Sequence, residues 1–227
     1  MASDNLWLMR ISMNDVLGFD EKAVQDWQQL VKDYAISPEN EEKLRYYVKQ
    51  LLDWNERMNL TRITAGSALI NDHLRDSLAV APFLGVDQAP LIADVGCGAG
   101  FPGLPLKICF PSLRVILIEV SAKKRAFLQA MIDELALTDC EVCDLDWRTF
   151  LRKTEHGISF FLARASLQPE ELVRIFKPDS TYSQATLVYW ASQHWRPDAS
   201  CVSFMRKEEA YRVGDKDRRL IFFRNTV

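Results

Sequence analysis

A glycine-rich bend carries the most specific chemical signal in the sequence. Gly96, Gly98 and Gly100 follow Asp94 at the end of a hydrophobic run, and Glu119 ends the next run, about 20 residues further on. Glycine lets the backbone turn sharply and leaves no Cβ between the backbone and a ligand. The helix expected after the bend points free N–H groups into the same crevice, where a carboxylate can accept hydrogen bonds from both ribose hydroxyls. The pattern predicts a site for a cofactor that contains a nucleoside.

Two classes of cofactor and one purely structural alternative remain open for this bend. Dinucleotide enzymes carry G-x-G-x-x-G, whereas this chain has G-x-G-x-G after Asp94, which is closer to the motif of S-adenosylmethionine enzymes. The structural alternative is an ordinary loop in which the Asp94 side chain only organises the glycines.

The spacing of hydrophobic residues predicts the elements that position this bend. Helical periodicity covers residues 20–34, a segment from Pro38 onward, and residues 67–84. Beyond Pro90, short hydrophobic runs alternate with helical segments, which is typical of a mostly parallel, doubly wound sheet. The predicted strands cover residues 91–96, 114–120, 140–145, 158–164, 186–190, 201–207 and 218–224. We therefore expect a Rossmann-like α/β fold in which the last two strands form an antiparallel hairpin at one edge.

Composition and charge narrow the class of protein. The 227 residues are 48% hydrophobic and 26% charged, with a formal net charge of −3, which argues against a simple nucleic-acid coat protein. Residues 201–227 nevertheless hold seven basic and four acidic side chains, and a local basic surface can capture phosphates. No apolar run approaches the roughly 18–20 residues of a membrane span, and residues 1–15 show no secretory signal. We expect a cytoplasmic protein with no membrane partner.

The five cysteines do not suggest a disulfide framework or a metal site. Their number is odd, and Cys140 and Cys143 form a single C-x-x-C. A structural zinc site usually needs a second pair or histidines at defined spacing. We expect reduced thiols and no metal.

Four blocks of sequence occur in a fixed order across roughly residues 40–166. They are Trp54-Asn55-x-x-x-Asn59-Leu60-Thr61, His73-Leu74-x-Asp76-Ser77-Leu78, DVGCGAGFPGLPL from Asp94, and Lys123-Lys124-x-x-Phe127-Leu128, the last followed by Ala163-Arg164-Ala165. In order and spacing they resemble the RsmG (GidB) family. Those bacterial enzymes methylate N7 of a guanosine in small-subunit ribosomal RNA.

The resemblance implies a fold, a cofactor and a set of site residues. The fold is a Rossmann-like class I methyltransferase, with an N-terminal helical portion (residues 1–85) packed on the S-adenosylmethionine-binding domain (residues 86–227). The residues expected to hold the cofactor are Asp94, Gly96, Gly98, Gly100, Phe101, Glu119 and Arg164. The residues expected to contact RNA are Asn59, His73, Lys123 and Lys124. The implied partner is small-subunit ribosomal RNA or the 30S subunit, and we expect a monomer.

The chain departs from the family at two places. It has Asp146-Trp147-Arg148-Thr149 where relatives carry an Arg-x-Glu that borders the adenine. We expect Asp146, Trp147 and Arg148 to take part in cofactor binding, with either Asp146 or Asp144 at the adenine amino group and Trp147 stacked on the ring. It also has Tyr189-Trp190-Ala191-Ser192-Gln193 where relatives have a short lysine-glycine element.

Several of these residues also have structural interpretations. His73 and Asp76 can form a buried polar pair that joins the helical portion to the sheet, and Asn55 and Asn59 can cap or bridge helices. Lysines at a helix start are often simply solvated. Arg164 follows a hydrophobic strand, and because burying an unpaired guanidinium is costly, we expect it to position the cofactor or the RNA.

The expected reaction is direct transfer of a sulfonium methyl group to guanine N7. That atom has a free lone pair at neutral pH, so no general base is expected. The alternatives are a methyltransferase acting on a small molecule or a protein, and a catalytically silent relative that serves as a binding module.

Overall fold

The computed structural model of the chain describes residues 17–225. Residues 1–15, in which the sequence shows no secretory signal, lie outside that range. Within it, no helix is long and apolar enough to cross a membrane.

A seven-stranded sheet forms the centre of the described fold. Its strands are β1 (Leu91–Val95), β2 (Arg114–Ile118), β3 (Cys140–Cys143), β4 (Phe160–Ala163), β5 (Thr186–Ser192), β6 (Met205–Val213) and β7 (Lys216–Phe223). They lie in the order β3-β2-β1-β4-β5-β7-β6. β7 pairs antiparallel with both β5 and β6, and the other pairs are parallel. The predicted α/β fold is confirmed. The β6–β7 hairpin lies at one edge of the sheet, and its second strand, β7, pairs with β5.

Helices precede the sheet and cover both of its faces. The helices are α1 (Glu21–Asp33), α2 (Pro38–Met58), α3 (Gly66–Leu69), α4 (Asp76–Leu78), α5 (Ala81–Leu84), α6 (Gly103–Cys109), α7 (Ala122–Glu134), α8 (Trp147–Lys153), α9 (Pro169–Leu172) and α10 (Ala199–Val202). A π-helix (Ile70–Arg75) joins α3 to α4, and 3₁₀ turns cover Val86–Gln88 and Val173–Phe176.

Polar side chains begin the first two helices. Asp20 accepts a hydrogen bond from the Ala23 backbone N–H, and Ser37 accepts one from the Asn40 N–H, so each satisfies an amide that the helix cannot. Between them these two helices bury one face that includes Trp27, Leu44, Tyr47 and Leu51. That face packs on the same hydrophobic core as α6, α7 and one face of β1 and β2. A domain boundary at residue 85 stays a prediction, since the apolar core is continuous across it.

The opposite face of the sheet is covered by α8, α9 and α10. Trp147 and Phe150 of α8 pack edge-on to Phe161 of β4, with ring centroids 5.3 and 6.3 Å apart. Side chains three residues apart on a strand leave opposite faces, and accordingly Cys140 contacts the core beneath α7 whereas Cys143 contacts the core beneath α8. The C-x-x-C thiols therefore do not converge.

Two segments differ from the sequence prediction. The predicted helix over residues 67–84 is divided by the π-helix and by a turn before Ala81. The predicted strand over residues 201–207 was wrong in its first half, where α10 begins after Asp198, whose side chain accepts from the Ser200 N–H. The strand β6 starts only at Met205. The helix cap at Asp198 thus outweighs the preference of the β-branched and aromatic residues that follow it for an extended strand.

Candidate functional site

The glycine bend lies at the carboxyl edge of the sheet, directly after β1. The backbone N–H groups of Gly96 and Cys97 donate to the Ile118 carbonyl at 2.9 and 3.2 Å, which fastens the bend to the end of β2. Gly96, Gly98 and Gly100 have φ of 66, 61 and 98°, values that side chains rarely tolerate. A Cβ placed on Gly98 would meet no atom within 4 Å. The bend therefore has open space at its centre, where a ligand can approach the backbone.

Asp94 holds the bend from inside the protein. Its Oδ2 accepts a hydrogen bond from the Gly103 N–H at 2.7 Å, which ties β1 to the start of α6. The side chain is fully buried, and burial is the main reason that its pKa rises to about 7. Its Oδ1 has no hydrogen-bond partner in the described part of the chain. The arrangement supports an organising role for Asp94.

Glu119 reaches back from the end of β2 to the same bend. It is 6% exposed, and its two oxygens accept from the Gly98 N–H at 3.0 Å and the Ser121 N–H at 2.8 Å. A carboxylate oxygen can accept more than one hydrogen bond, so both oxygens keep the capacity to bind hydroxyl groups. Val120, which follows, is 60% exposed and offers apolar surface beside the carboxylate. No sequence pattern points to Val120, because an apolar residue next to a predicted site gives no separate signal.

Phe101 lies beneath the bend rather than on its surface. It is 6% exposed and stacks on the His73 ring, with centroids 4.3 Å apart and the planes 11° from parallel. Tyr47 of α2 meets Phe101 edge-on at 5.8 Å and donates its hydroxyl to the Ala99 carbonyl at 2.8 Å. Direct contact of Phe101 with a cofactor stays a prediction, and its packing favours a supporting role.

Arg164 follows β4 and forms a buried ion pair with the segment that contains the π-helix. Its Nε donates to Asp76 Oδ2 at 2.6 Å, and its Nη2 donates to the Asp72 carbonyl and lies 3.4 Å from His73 Nδ1. The Arg164 and Asp76 side chains are only 13% and 5% exposed. The guanidinium is thus paired through Nε and Nη2, as its burial requires. Its third nitrogen, Nη1, has no hydrogen-bond partner in the described part of the chain.

His73 is held as a neutral ring at the centre of this network. Burial, followed by the charge of Arg164, lowers its pKa to about 4. Because arginine is only a donor, Nδ1 must accept and Nε2 must carry the proton, which points to Thr61 Oγ1 at 2.6 Å. Asn55 in turn accepts from the Thr61 N–H at 2.8 Å. Asn59 is the C-cap of α2, in the left-handed conformation with φ of 52°. Asn55 thus bridges to the next segment and Asn59 caps the helix, in agreement with the structural interpretation of these two residues.

The β6–β7 hairpin closes the network from the other side. Tyr211 donates to Asp76 Oδ1 at 2.7 Å, and Lys216 pairs with Asp72 Oδ2 at 2.5 Å. Trp190 of β5 donates its indole N–H to the Asp76 carbonyl at 2.9 Å. Sequence analysis missed these partners, because they are more than 100 residues from the π-helix and no local pattern joins them. The unusual aromatic stretch at residues 189–193 therefore has a structural function through Trp190.

The segment expected to border the adenine lies at the start of α8. Asp146 caps that helix by accepting from the Thr149 N–H at 3.0 Å, and Arg148 forms a two-point pair with Glu171 at 2.7 and 3.0 Å. Trp147 is buried, and its indole donates to the Glu171 carbonyl at 3.1 Å. Stacking of Trp147 on a cofactor ring stays a prediction, and its burial against Phe161 favours packing instead.

The predicted basic contacts fall into two groups. Lys123 and Lys124 begin α7 immediately after the Glu119 segment, and neither has a carboxylate partner among the described residues. Most hairpin cations, by contrast, are engaged: Lys207 lies 4.4 Å from the centre of the Phe83 ring, and Arg219 pairs with Glu208 at 3.0 Å. Most of the cations counted over residues 201–227 therefore have partners within the fold.

The residues at the bend fit a nucleoside cofactor with an amino-acid tail. Glu119 can accept from sugar hydroxyls, and the space at Gly98 is free of side chains. Two buried oxygens, Asp94 Oδ1 and Ser166 Oγ, lack partners in the described range, and Ser166 lies against Gly96. Buried polar atoms usually have a hydrogen-bond partner, so these two oxygens beside the bend fit a site for a polar ligand.

Strand order and the single reversed strand define the class of protein by its fold, a Rossmann-like α/β sheet with one antiparallel strand. A solved SAM dependent methyltransferase from Aquifex aeolicus has the same fold, with a TM-score of 0.50 at 15% identity, covering 69% of this chain and 93% of that one.

Sequence relatives identify the family within that class. The model of the GidB family, described as rRNA small subunit methyltransferase G, matches residues 40–196. Ribosomal RNA small subunit methyltransferase G of Listeria innocua is 35% identical over 164 residues, covering 71% of this chain and 69% of the relative. The protein of that name from Geobacillus sp. is 36% identical over 157 residues, covering 66% of each. The chain belongs to the GidB family of S-adenosylmethionine-dependent methyltransferases, as the four sequence blocks predicted.

Proposed function

We propose that this protein transfers the methyl group of S-adenosylmethionine to N7 of a guanosine in small-subunit ribosomal RNA. Membership of the GidB family, whose relatives are named for this RNA, carries the proposal. The glycine bend and Glu119 supply the matching site. Neither a small-molecule or protein substrate nor a silent binding module has support of this kind.

Each proposed cofactor contact has a candidate group at the bend. Glu119 binds the ribose hydroxyls, and the exposed Val120 packs against the adenine. The backbone at Gly96, Gly98 and Gly100 surrounds the methionine part, with Ser166 Oγ nearby. Asp94 does not contact the cofactor; it accepts a hydrogen bond from the Gly103 N–H and so fixes the conformation of the bend. When bound, the sulfonium supplies an electrophilic methyl group.

The protein's own contribution to the reaction is positioning. Guanine N7 needs no proton removed before it attacks, and holding two reactants in line can lower a barrier by about 7–11 kcal/mol. Arg164 is fixed by Asp76 and the Asp72 carbonyl, so its remaining Nη1 can orient the RNA. His73 stays neutral above a pH of about 4 and keeps this guanidinium in place without acting as a base.

The substrate and setting follow from the same proposal. Lys123 and Lys124 contact RNA phosphates beside the cofactor. Asn59 and His73 act indirectly, by positioning the end of α2 and the Arg164 side chain. The protein acts as a cytoplasmic monomer on the RNA or on the assembled 30S subunit. Methylation of both substrates by the purified protein would show which of the two is preferred.

Mass spectrometry of small-subunit RNA tests the function directly. RNA from cells that lack the protein should gain one N7-methylguanosine when incubated with the protein and S-adenosylmethionine, and large-subunit RNA from the same cells should gain none. An unchanged N7-methylguanosine content in both the free small-subunit RNA and the assembled 30S subunit would rule the proposal out.

A further inference from the structure

One open groove of the described surface has no role in the reaction as proposed. It lies at the C-terminal end of α2, has a volume of about 290 Å³ and is lined by Gln50, Asp53, Trp54, Arg57 and Met58. Trp54 is half-buried, and its inner part meets Phe127 of α7 with ring centroids 5.5 Å apart. The exposed remainder of the indole is therefore available to a flat ring held in the groove.

The groove lies on a helix that contacts the cofactor bend. The helix that carries it is tied to the bend by Tyr47, which donates to the Ala99 carbonyl at 2.8 Å. The helix that backs Trp54 starts with Lys123 and Lys124, immediately after the Glu119 segment. The groove and the bend are therefore connected through two helices, α2 and α7.

Unpaired cations lie in the groove and at the start of the helix behind it. Arg57, which lines the groove, and Lys123 and Lys124, which begin α7, have no carboxylate partner in the part of the chain that the structure describes. Asp53 is paired with Lys49 at 2.5 Å, which leaves Glu56 as the opposing charge on this stretch of α2. Unpaired cations next to an aromatic side chain are the combination that binds single-stranded RNA, because phosphates pair with the cations and a base stacks on the ring.

We propose that this groove binds an unpaired base of the RNA substrate next to the target guanosine. The base stacks on Trp54, and the adjoining phosphates lie on Arg57 and on the lysines of α7. This inference rests on the proposed function, since it assumes an RNA substrate. A groove of this volume accommodates one base, so the recognised segment must be unstacked at that position.

Two variants test the two halves of the groove. Trp54→Leu keeps apolar contact with Phe127 but removes the stacking surface, and we expect KM for small-subunit RNA to rise about tenfold. Arg57→Ala removes one exposed cation, and we expect weaker RNA binding with a slope of log K against log salt shallower by about 0.7, the value for one single-strand phosphate. Stacking carries no net charge, so Trp54→Leu should leave that slope unchanged.

Matched controls separate the groove from general effects. Lys153→Ala removes an exposed cation without a carboxylate partner in the described range, on α8, and Trp195→Leu removes a half-buried tryptophan from the loop after β5. Both should keep the wild-type KM and salt slope. The affinity for S-adenosylhomocysteine should stay the same in all four variants, because none touches the bend.

The outcomes distinguish the two proposals. If the wild-type protein methylates the RNA and both groove variants keep its KM and salt slope, the groove proposal is wrong and the function stands. If the wild-type protein methylates no RNA, the proposed function is wrong. The groove is then judged by filter binding to a 12-nucleotide single-stranded RNA, where equal affinity of the wild-type protein and both variants overturns it. A loss confined to Arg57→Ala also overturns the stacking assignment.

Discussion

Two acids at the bend show how the surroundings of a carboxyl group decide its function. Asp94 is buried with one oxygen satisfied and one left alone, so its charged form is disfavoured. Glu119 receives a backbone N–H on each oxygen and lies next to open space. The sequence predicted both residues at the site, but their different roles depend on which backbone amides point at them.

Gly98→Ala should abolish cofactor binding without unfolding the protein. The added Cβ enters space that a ligand needs, and the left-handed backbone costs about 1–2 kcal/mol of stability. Gly18→Ala is the matched control, because Gly18 has φ of 62° and also meets no atom within 4 Å. We expect titration with S-adenosylhomocysteine to show at least tenfold weaker binding only for Gly98→Ala. Gly96 is a poorer choice, since a Cβ there lies 2.8 Å from the Ser166 Cβ.

Asp94→Asn should change how stability depends on pH. Because the folded state raises the pKa of Asp94 from 3.8 to about 7, it retains the proton more tightly than the unfolded chain. The resulting stability is fully present below pH 3.8 and is lost as the pH rises through about 7. Wild-type protein should therefore lose a few kcal/mol between pH 5 and pH 8 that the asparagine variant keeps. Urea unfolding at both values measures this, and parallel losses in the two proteins would contradict it.

At the scale of elements, a local sequence pattern predicted some helices and strands and could not predict others. The bend, β1, β2 and α7 were predicted because glycine spacing and hydrophobic periodicity are local properties. The π-helix was not, because Asp76, which directly follows it, takes its position from Arg164, Trp190 and Tyr211, which come from distant strands. π-helical turns are frequent at functional sites, and here the widened turn brings Asp72, His73 and Asp76 to a single cation.

Asp76→Ala should destabilise the fold by about 3–5 kcal/mol, because it leaves the Arg164 guanidinium buried without its partner. Tyr211→Phe should cost about 1 kcal/mol, the usual value of one hydrogen bond. Tyr46→Phe serves as the control, since it removes a bond from a hydroxyl to the Glu134 carboxylate at 3.0 Å on the surface, where changes stay within about 0.5 kcal/mol. Equal effects of the two tyrosine variants in urea unfolding would show that the Asp76 network adds no stability.

At the scale of the whole molecule, the N-terminal helices and the C-terminal hairpin meet over the π-helix. The sequence predicted the helical portion, the parallel sheet and the hairpin. It assigned the basic RNA contacts to Lys123 and Lys124, and its basic excess over residues 201–227 only permitted a further phosphate-binding surface. Several of those hairpin cations are paired within the fold, with Lys216 on Asp72 and Arg219 on Glu208. Net charge counted along a chain cannot distinguish cations that pair within the fold from those that face solvent.

Replacing single cations should show this distinction in the salt dependence of RNA binding. Lys216→Ala breaks the pair with Asp72, so we expect lower stability and an unchanged slope of log K against log salt. Lys124→Ala removes a cation from the rim of the cofactor cleft and should make the slope shallower by about 0.7. Filter binding at four salt concentrations measures both slopes, and a shallower slope for Lys216→Ala would place RNA on the hairpin instead.

The position of β7 between β5 and β6 has a consequence for synthesis of the protein. Until residues 216–223 have left the ribosome, β6 has no neighbour to pair with, and β5 presents a bare edge of unpaired amides and carbonyls. The nascent chain therefore exposes this edge from the time that β5 has formed until β7 emerges. A pause or a premature stop upstream of β7 leaves a product that is prone to edge-to-edge aggregation and lacks Lys216, the partner of Asp72 in the π-helix.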